Sequence, residues 1–116
     1  MKNTLKKISG LLGLLLLVSA CSSKTTLEPV TLTAQQQKLF QQSCQSCHLN
    51  SASPAPQMGD IKAWQTRLEK GLPVLIQNAM QGINAMPAGG LCTVCTPDDM
   101  DAMIRFMATA PSTTPQ

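Results

Sequence analysis

Apolar side chains recur at helical spacing in four stretches between residues 34 and 109, separated by segments rich in Pro, Gly and Ser. Thr33 can cap a helix from Ala34 to about Gln42, with Leu39 and Phe40 on its apolar side. Two prolines, Pro54 and Pro56, then impose an open loop. Asp60 can cap a second helix through Glu69, where Ile61, Trp64 and Leu68 recur and Gly71 ends the run. Pro73 suits the first turn of a third helix carrying Leu75, Ile76, Ala79 and Met80, closed by Gly82. The last helix has the fullest start signal. Thr96 stands at the cap, Pro97 at the first helical position, and Asp99 at the capping-box position. Asp98 and Asp99 also set negative charge at the favourable end of the helix dipole. Met100, Met103, Ile104 and Met107 form its buried stripe, with Phe106 on the flank. No stretch shows sustained strand alternation, so the expected class is all-α with loops.

The first twenty residues follow a different pattern. Lys2, Lys6 and Lys7 precede an apolar run from Ile8 to Ala20, the layout of an export signal too short to span a bilayer comfortably. Leu17-Val18-Ser19-Ala20-Cys21 resembles a bacterial lipobox, in which the cysteine becomes the first mature residue and is acylated. An ordinary signal peptide would instead leave Cys21 as an exposed thiol in an oxidising compartment. Ser22 after the cysteine resembles lipoproteins sent to the outer membrane of Gram-negative bacteria. The expected division is a signal peptide over 1–20, an acylated Cys21 with a flexible tether over 21–33, one domain over 34–109, and a flexible tail over 110–116.

Removing the leader changes the charge. The formal +3 of the 116-residue chain includes three leader lysines; beyond them six basic side chains face six acidic ones. There is no basic stripe, and with two Phe, one Trp and no Tyr there is no stacking platform. Nucleic acid is therefore not a partner. A domain this small usually needs a disulfide, a metal or a cofactor to hold together, and five cysteines with one histidine narrow the choice.

The strongest chemical signal is Cys44-Gln45-Ser46-Cys47-His48, a C-x-x-C-H with the spacing of c-type haem attachment. Two thiols so placed can reach vinyl groups along one edge of a porphyrin, and the adjacent imidazole can turn under the iron. A zinc or copper site using Cys44, Cys47, Cys92 and Cys95 competes, as does a plain disulfide. Zinc leaves His48 spare, and a disulfide leaves it unexplained. If haem is bound, His48 is the only histidine, so a second axial ligand must be of another type. Met58, Met80, Met86, Met100, Met103 and Met107 are available. Met86 stands in a segment where Pro87, Gly89 and Gly90 stop any helix, which suits a loop ligand approaching from the face opposite His48. His/Met ligation fills the iron's coordination and favours electron transfer over oxygen chemistry.

These residues together resemble the class I cytochromes c, in particular the cytochrome c5-like group, over about residues 35–108. Phe40 stands where the family places an aromatic against the C-terminal helix, with Phe106 as its partner. The segment from Ala55 to Asp60, followed by Trp64, resembles the lining of the histidine side, with the Pro56 carbonyl as acceptor for the His48 Nδ1 proton. Gly82 to Pro87 resembles the axial-methionine segment, assigning Met86. Gly90-Leu91-Cys92-Thr93-Val94-Cys95 resembles a second C-x-x-C that forms a disulfide in that group.

The resemblance implies a small monohaem cytochrome c fold of three to five short helices around one covalently bound haem c. It implies a carrier of single electrons between redox partners in the cell envelope, and not an enzyme. A membrane-anchored lipoprotein facing the periplasm, on the outer membrane, and a monomer or weak dimer are expected. The alternatives are a haem peroxidase or sensor, which needs an open sixth site, and a metal-binding or chaperone lipoprotein, which would exchange its metal without redox cycling.

Overall fold

The computed structural model describes residues 27–111; the expected export signal, Cys21 and the last five residues lie outside the described residues. Five α-helices form: α1 (Ala34–Gln42), α2 (Gln45–His48), α3 (Ile61–Leu68), α4 (Leu72–Gln81) and α5 (Pro97–Thr109), with a 3₁₀ turn at Ala88–Leu91 before the last. No strand forms among the described residues; a single antiparallel bridge joins Ile83 and Met86.

The helices begin where local chemistry satisfies their free N–H groups. The Thr33 hydroxyl accepts from Gln36 N–H at 3.2 Å, and Gln36 Oε1 accepts from Thr33 N–H at 3.1 Å, a capping box. Thr96 and Asp99 form the same device at α5, at 3.2 Å and 3.0 Å. Asp60 Oδ1 accepts from Ala63 N–H at 3.0 Å and starts α3. Gly71 and Gly82 bracket α4, both at positive φ.

The longest helix, α5, is the spine against which α1, α3 and α4 pack. Its stripe of Met100, Met103, Ile104, Met107 and Ala108 is buried against Phe40, Trp64, Leu68, Leu75 and Ala79. Phe40 and Phe106 meet edge to face, with ring centroids 5.4 Å apart and planes at 83°, a geometry favoured by the ring quadrupoles. The starts of α1 and α5 are joined as well, Gln36 Nε2 donating to Asp99 Oδ1 at 3.3 Å.

The packing begins earlier than helical periodicity places it. Leu32 is part of the core and Leu27 lies against it. The stretch just before residue 34, expected to be tether, therefore lies on the domain. Its apolar residues cover the core from non-helical backbone, where a 3.6-residue period has no meaning.

Candidate functional site

Cys44 follows the α1 cap residue Ser43, and the chain then makes the single turn of α2, with His48 N–H donating to Cys44 O at 3.0 Å. That turn sets Cys44 against the core while Cys47 faces solvent. Burial pushes the Cys44 thiol's pKa up, partly offset by the Ser43 hydroxyl 3.5 Å from its sulfur. Met103 Sδ lies 3.8 Å from Cys44 Sγ.

His48 is buried, and its orientation is fixed by the loop that follows. Nδ1 lies 2.8 Å from the Pro56 carbonyl. A carbonyl only accepts, so Nδ1 carries the proton and the lone pair is on Nε2. Burial lowers the imidazole's pKa; the Pro56 hydrogen bond works against that, and the Arg67 charge lowers it further. The neutral, ligand-competent form is thus favoured.

The loop is itself tied down. Met58 N–H donates to His48 O at 2.8 Å, and Gln57 Nε2 donates to Cys47 O at 3.2 Å and to Ala55 O at 2.9 Å. Trp64 Nε1 donates to Gln57 O at 2.9 Å. Its ring stacks beside His48, centroids 5.9 Å apart and planes at 27°. Cys47, His48, Pro56 and Trp64 are therefore one hydrogen-bonded unit. Gln57 belongs to it too; the sequence placed it only as part of the Ala55–Asp60 segment, because its contribution comes partly through its carbonyl.

Met86 lies in a different segment, at the end of a tight turn. Met86 N–H donates to Ile83 O at 2.9 Å and Ile83 N–H to Met86 O at 3.0 Å, with Asn84 at φ 52° between them. Met86 is half-buried against the core. Gly90 presses on it so closely that a Cβ there would sit 3.1 Å from Met86 Cε. Gly89, Gly90 and Leu91 then run in succession at φ 66°, 57° and 71°. Cys92 and Cys95 are joined by a disulfide immediately afterwards, Cα to Cα 5.5 Å.

That disulfide removes the four-cysteine zinc alternative, since two of its thiolates are spent on each other. Cys44 and Cys47, at the same sequence spacing, stay as free thiols. Two free thiols, a neutral imidazole with its Nε2 unclaimed by the Pro56 bond, and thioethers in the neighbouring core form a donor set that fits a covalently attached haem c. An apolar groove lined by Leu27, Pro29, Ile61, Leu68 and Thr109 touches this unit only through Trp64 and is separate from the cysteines.

A protein-family profile described as cytochrome C oxidase, cbb3-type, subunit III, matches residues 31–107. Over 67 residues the chain is 39% identical to cytochrome c5 of Azotobacter vinelandii, which is 56% of this chain and 81% of that one. It is 37% identical over 67 residues to cytochrome c5 of Ectopseudomonas mendocina, covering 56% of this chain and 77% of that relative. Among solved structures, a crystal structure of an electron transfer complex of nitrite reductase with cytochrome c contains a similar chain. The TM-score is 0.58 at 29% identity, covering 67% of this chain and 95% of that one.

Proposed function

Because the chain belongs to the class I cytochrome c family and is c5-like over about half its length, we propose that it carries electrons in the bacterial cell envelope with His48 and Met86 as the axial ligands of its haem. It is an electron carrier and not a catalyst. Haem c, when bound, supplies a one-electron iron couple. The chain's own residues do the rest. Cys44 and Cys47 hold the group by thioethers, so affinity need not come from a core this small. His48 offers Nε2 because Pro56 holds the proton on Nδ1. Trp64 and Gln57 keep that loop closed over the imidazole and exclude water.

The observation on which this reading rests most is the 2.8 Å contact between His48 Nδ1 and the Pro56 carbonyl, on a turn that also presents two unbonded cysteines. A structural histidine in a core would have both nitrogens partnered or one left at a cost. Here Nε2 has no protein partner and is not a buried unpaired atom, so it stands open to a ligand.

Met86 is favoured over Met103 as the second axial ligand. Met103 is held inside α5 beside Cys44, whereas Met86 is placed by a loop with its own turn and glycine support. The lipobox at Leu17–Cys21 supports an acyl anchor at Cys21, with Ser22 favouring the outer membrane. No helix among the described residues is long and apolar enough to cross a membrane. The partners are redox proteins of that compartment; the related chain in the nitrite reductase complex supports an enzyme as one such partner.

The test is spectroscopic. Purified protein should give a pyridine haemochrome of the doubly thioether-linked type. Met86→Ala should abolish the weak red charge-transfer band of thioether-ligated ferric haem, while Met58→Ala and Met103→Leu retain it. A colourless protein, or loss of the band in Met103→Leu alone, overturns the assignment.

A further inference from the structure

The Gln57 side chain spends both of its amide N–H groups on the loop around His48. Nε2 donates to Ala55 O at 2.9 Å and to Cys47 O at 3.2 Å. Both partners are carbonyls, which only accept, and this fixes which way the amide faces. The two bonds flank the contact that orients the imidazole. Ala55 precedes Pro56, whose carbonyl lies 2.8 Å from His48 Nδ1, and Cys47 precedes His48.

The Pro56 ring fixes φ at that residue, so its carbonyl is aimed by one torsion, the ψ of Pro56. The bond from Gln57 Nε2 back to Ala55 O closes a ring of atoms that contains this torsion. The bond to Cys47 O ties the same amide to the turn that carries His48. One side chain therefore registers the donor and the acceptor of the 2.8 Å contact against each other. The remaining bonds of the loop act farther along the chain. Trp64 Nε1 and Asp60 N–H donate to Gln57 O at 2.9 Å and 3.0 Å, and Met58 N–H donates to His48 O at 2.8 Å. Between those anchors and the Pro56 carbonyl lie the φ and ψ of Gln57, two torsions through which the carbonyl can turn away.

We propose that Gln57 is a positioning residue for the haem: its side-chain amide aims the Pro56 carbonyl at His48 Nδ1 and so sets the donor strength of Nε2 and the midpoint potential. This role rests on the electron-carrier reading above. A well-aimed acceptor on Nδ1–H makes the imidazole more basic at Nε2. A stronger donor favours ferric over ferrous iron, so relaxing the aim raises the potential.

Two readouts on the full-length holoprotein test this. The first is exchange of the His48 Nδ1 proton with solvent, followed by NMR in the ferrous state. It is read relative to the core amides of Met103 and Ile104, so that a general loss of stability cancels. Gln57→Leu should raise this relative rate about tenfold or more. The second is the midpoint potential, which should rise by at least the equivalent of an about threefold change in the reduced-to-oxidised ratio, about 28 mV for one electron. The thioether band should persist. Gln57→Glu keeps the side chain's shape but removes its donation, and should speed the exchange as Gln57→Leu does. Gln65→Leu, the same replacement at an exposed position on α3, should change neither readout.

A relative exchange rate or a potential that matches the parent's in Gln57→Leu overturns the proposal. A potential that falls does so too, since it marks entry of water rather than a weakened bond to Nδ1. Exchange in Gln57→Glu as slow as in the parent has the same consequence, because packing and not donation would then aim the carbonyl. Failure of the carrier reading shows separately, as a parent protein without haem or without the thioether band.

Discussion

Gly82 closes α4 and precedes the Met86 turn, at φ 87° and ψ 149°. A Cβ built there would stand 2.9 Å from Ala88 N, 3.0 Å from Met86 O and 3.2 Å from Pro87 C. All three neighbours are backbone, so no side chain can swing aside. Gly82→Ala therefore forces either the end of α4 or the whole Met86–Ala88 segment to move. The dihedral alone costs about 1–3 kcal/mol, and forcing packed backbone apart costs about 1–3 kcal/mol more. A total of about 2–6 kcal/mol is a large share of the roughly 5–15 kcal/mol that holds a domain together. At about 4–8 °C per kcal/mol for a domain of this size, it corresponds to a melting temperature lowered by roughly 10–50 °C.

Gly90→Ala is the informative comparison. Its Cβ meets only the mobile Cε of Met86, at 3.1 Å, and the left-handed conformation costs an alanine about 1 kcal/mol. Circular dichroism melts of both holoproteins, with ferric spectra before heating, separate the two effects. Gly82→Ala should lose both thermal stability and the thioether band; Gly90→Ala should perturb the band while lowering the melt by only several degrees. A Gly82→Ala protein melting within about 3 °C of the parent with its band intact would refute the claim that α4 positions the methionine segment.

Trp64→Phe keeps a ring beside His48 but leaves the Gln57 carbonyl without its donor; the denaturant midpoint should fall by the equivalent of about 1–2 kcal/mol. Asp99 lies below the usual carboxylate range because it accepts first from the Thr96 N–H and then from the Thr96 hydroxyl and Gln36 amide. The unfolded chain takes up that proton at higher pH than the folded one. The stabilisation is therefore complete above about pH 4 and is lost as pH falls through the lower folded value. Asp99→Asn should flatten that part of the stability profile below about pH 4 when urea midpoints are compared across the acid range.

Much of this architecture is legible in the sequence because its signals are local. Thr96, Pro97 and Asp99 announce α5, and the Met100–Met103–Ile104–Met107 stripe states which face is buried. Asp60 and the spacing of Trp64 and Leu68 do the same for α3. The elements that escape are those with no period to read. α2 is one turn long, and its helicity comes from bonds to Cys44 and Gln45 carbonyls rather than from an apolar face. Leu27 and Leu32 join the core from non-helical backbone. The left-handed run at Gly89, Gly90 and Leu91 ends on a residue whose propensity argues against it.

At the site, the side-chain types pointed to Cys44, Cys47 and His48. Backbone carbonyls carry no such label, which is why Gln57 enters only as part of the Ala55–Asp60 segment and Pro56 only through family resemblance. Met103 is readable as core, but its approach to Cys44 from 59 positions away depends on how α1 and α5 cross.

The clasp between the first and last helices has a consequence for how the protein matures. Gln36 with Asp99, and Phe40 with Phe106, engage no atom of the cysteine–histidine turn. The two ends of the domain can close on one another while both attachment sulfurs are still unreacted. The turn that must receive the porphyrin then hangs from the finished end of α1, with Ser43 Oγ anchored to Leu39 O at 2.6 Å. An attachment machinery would meet a half-built scaffold offering the Cys47 sulfur at a settled place, with Cys44 still turned against the core, rather than a wandering peptide.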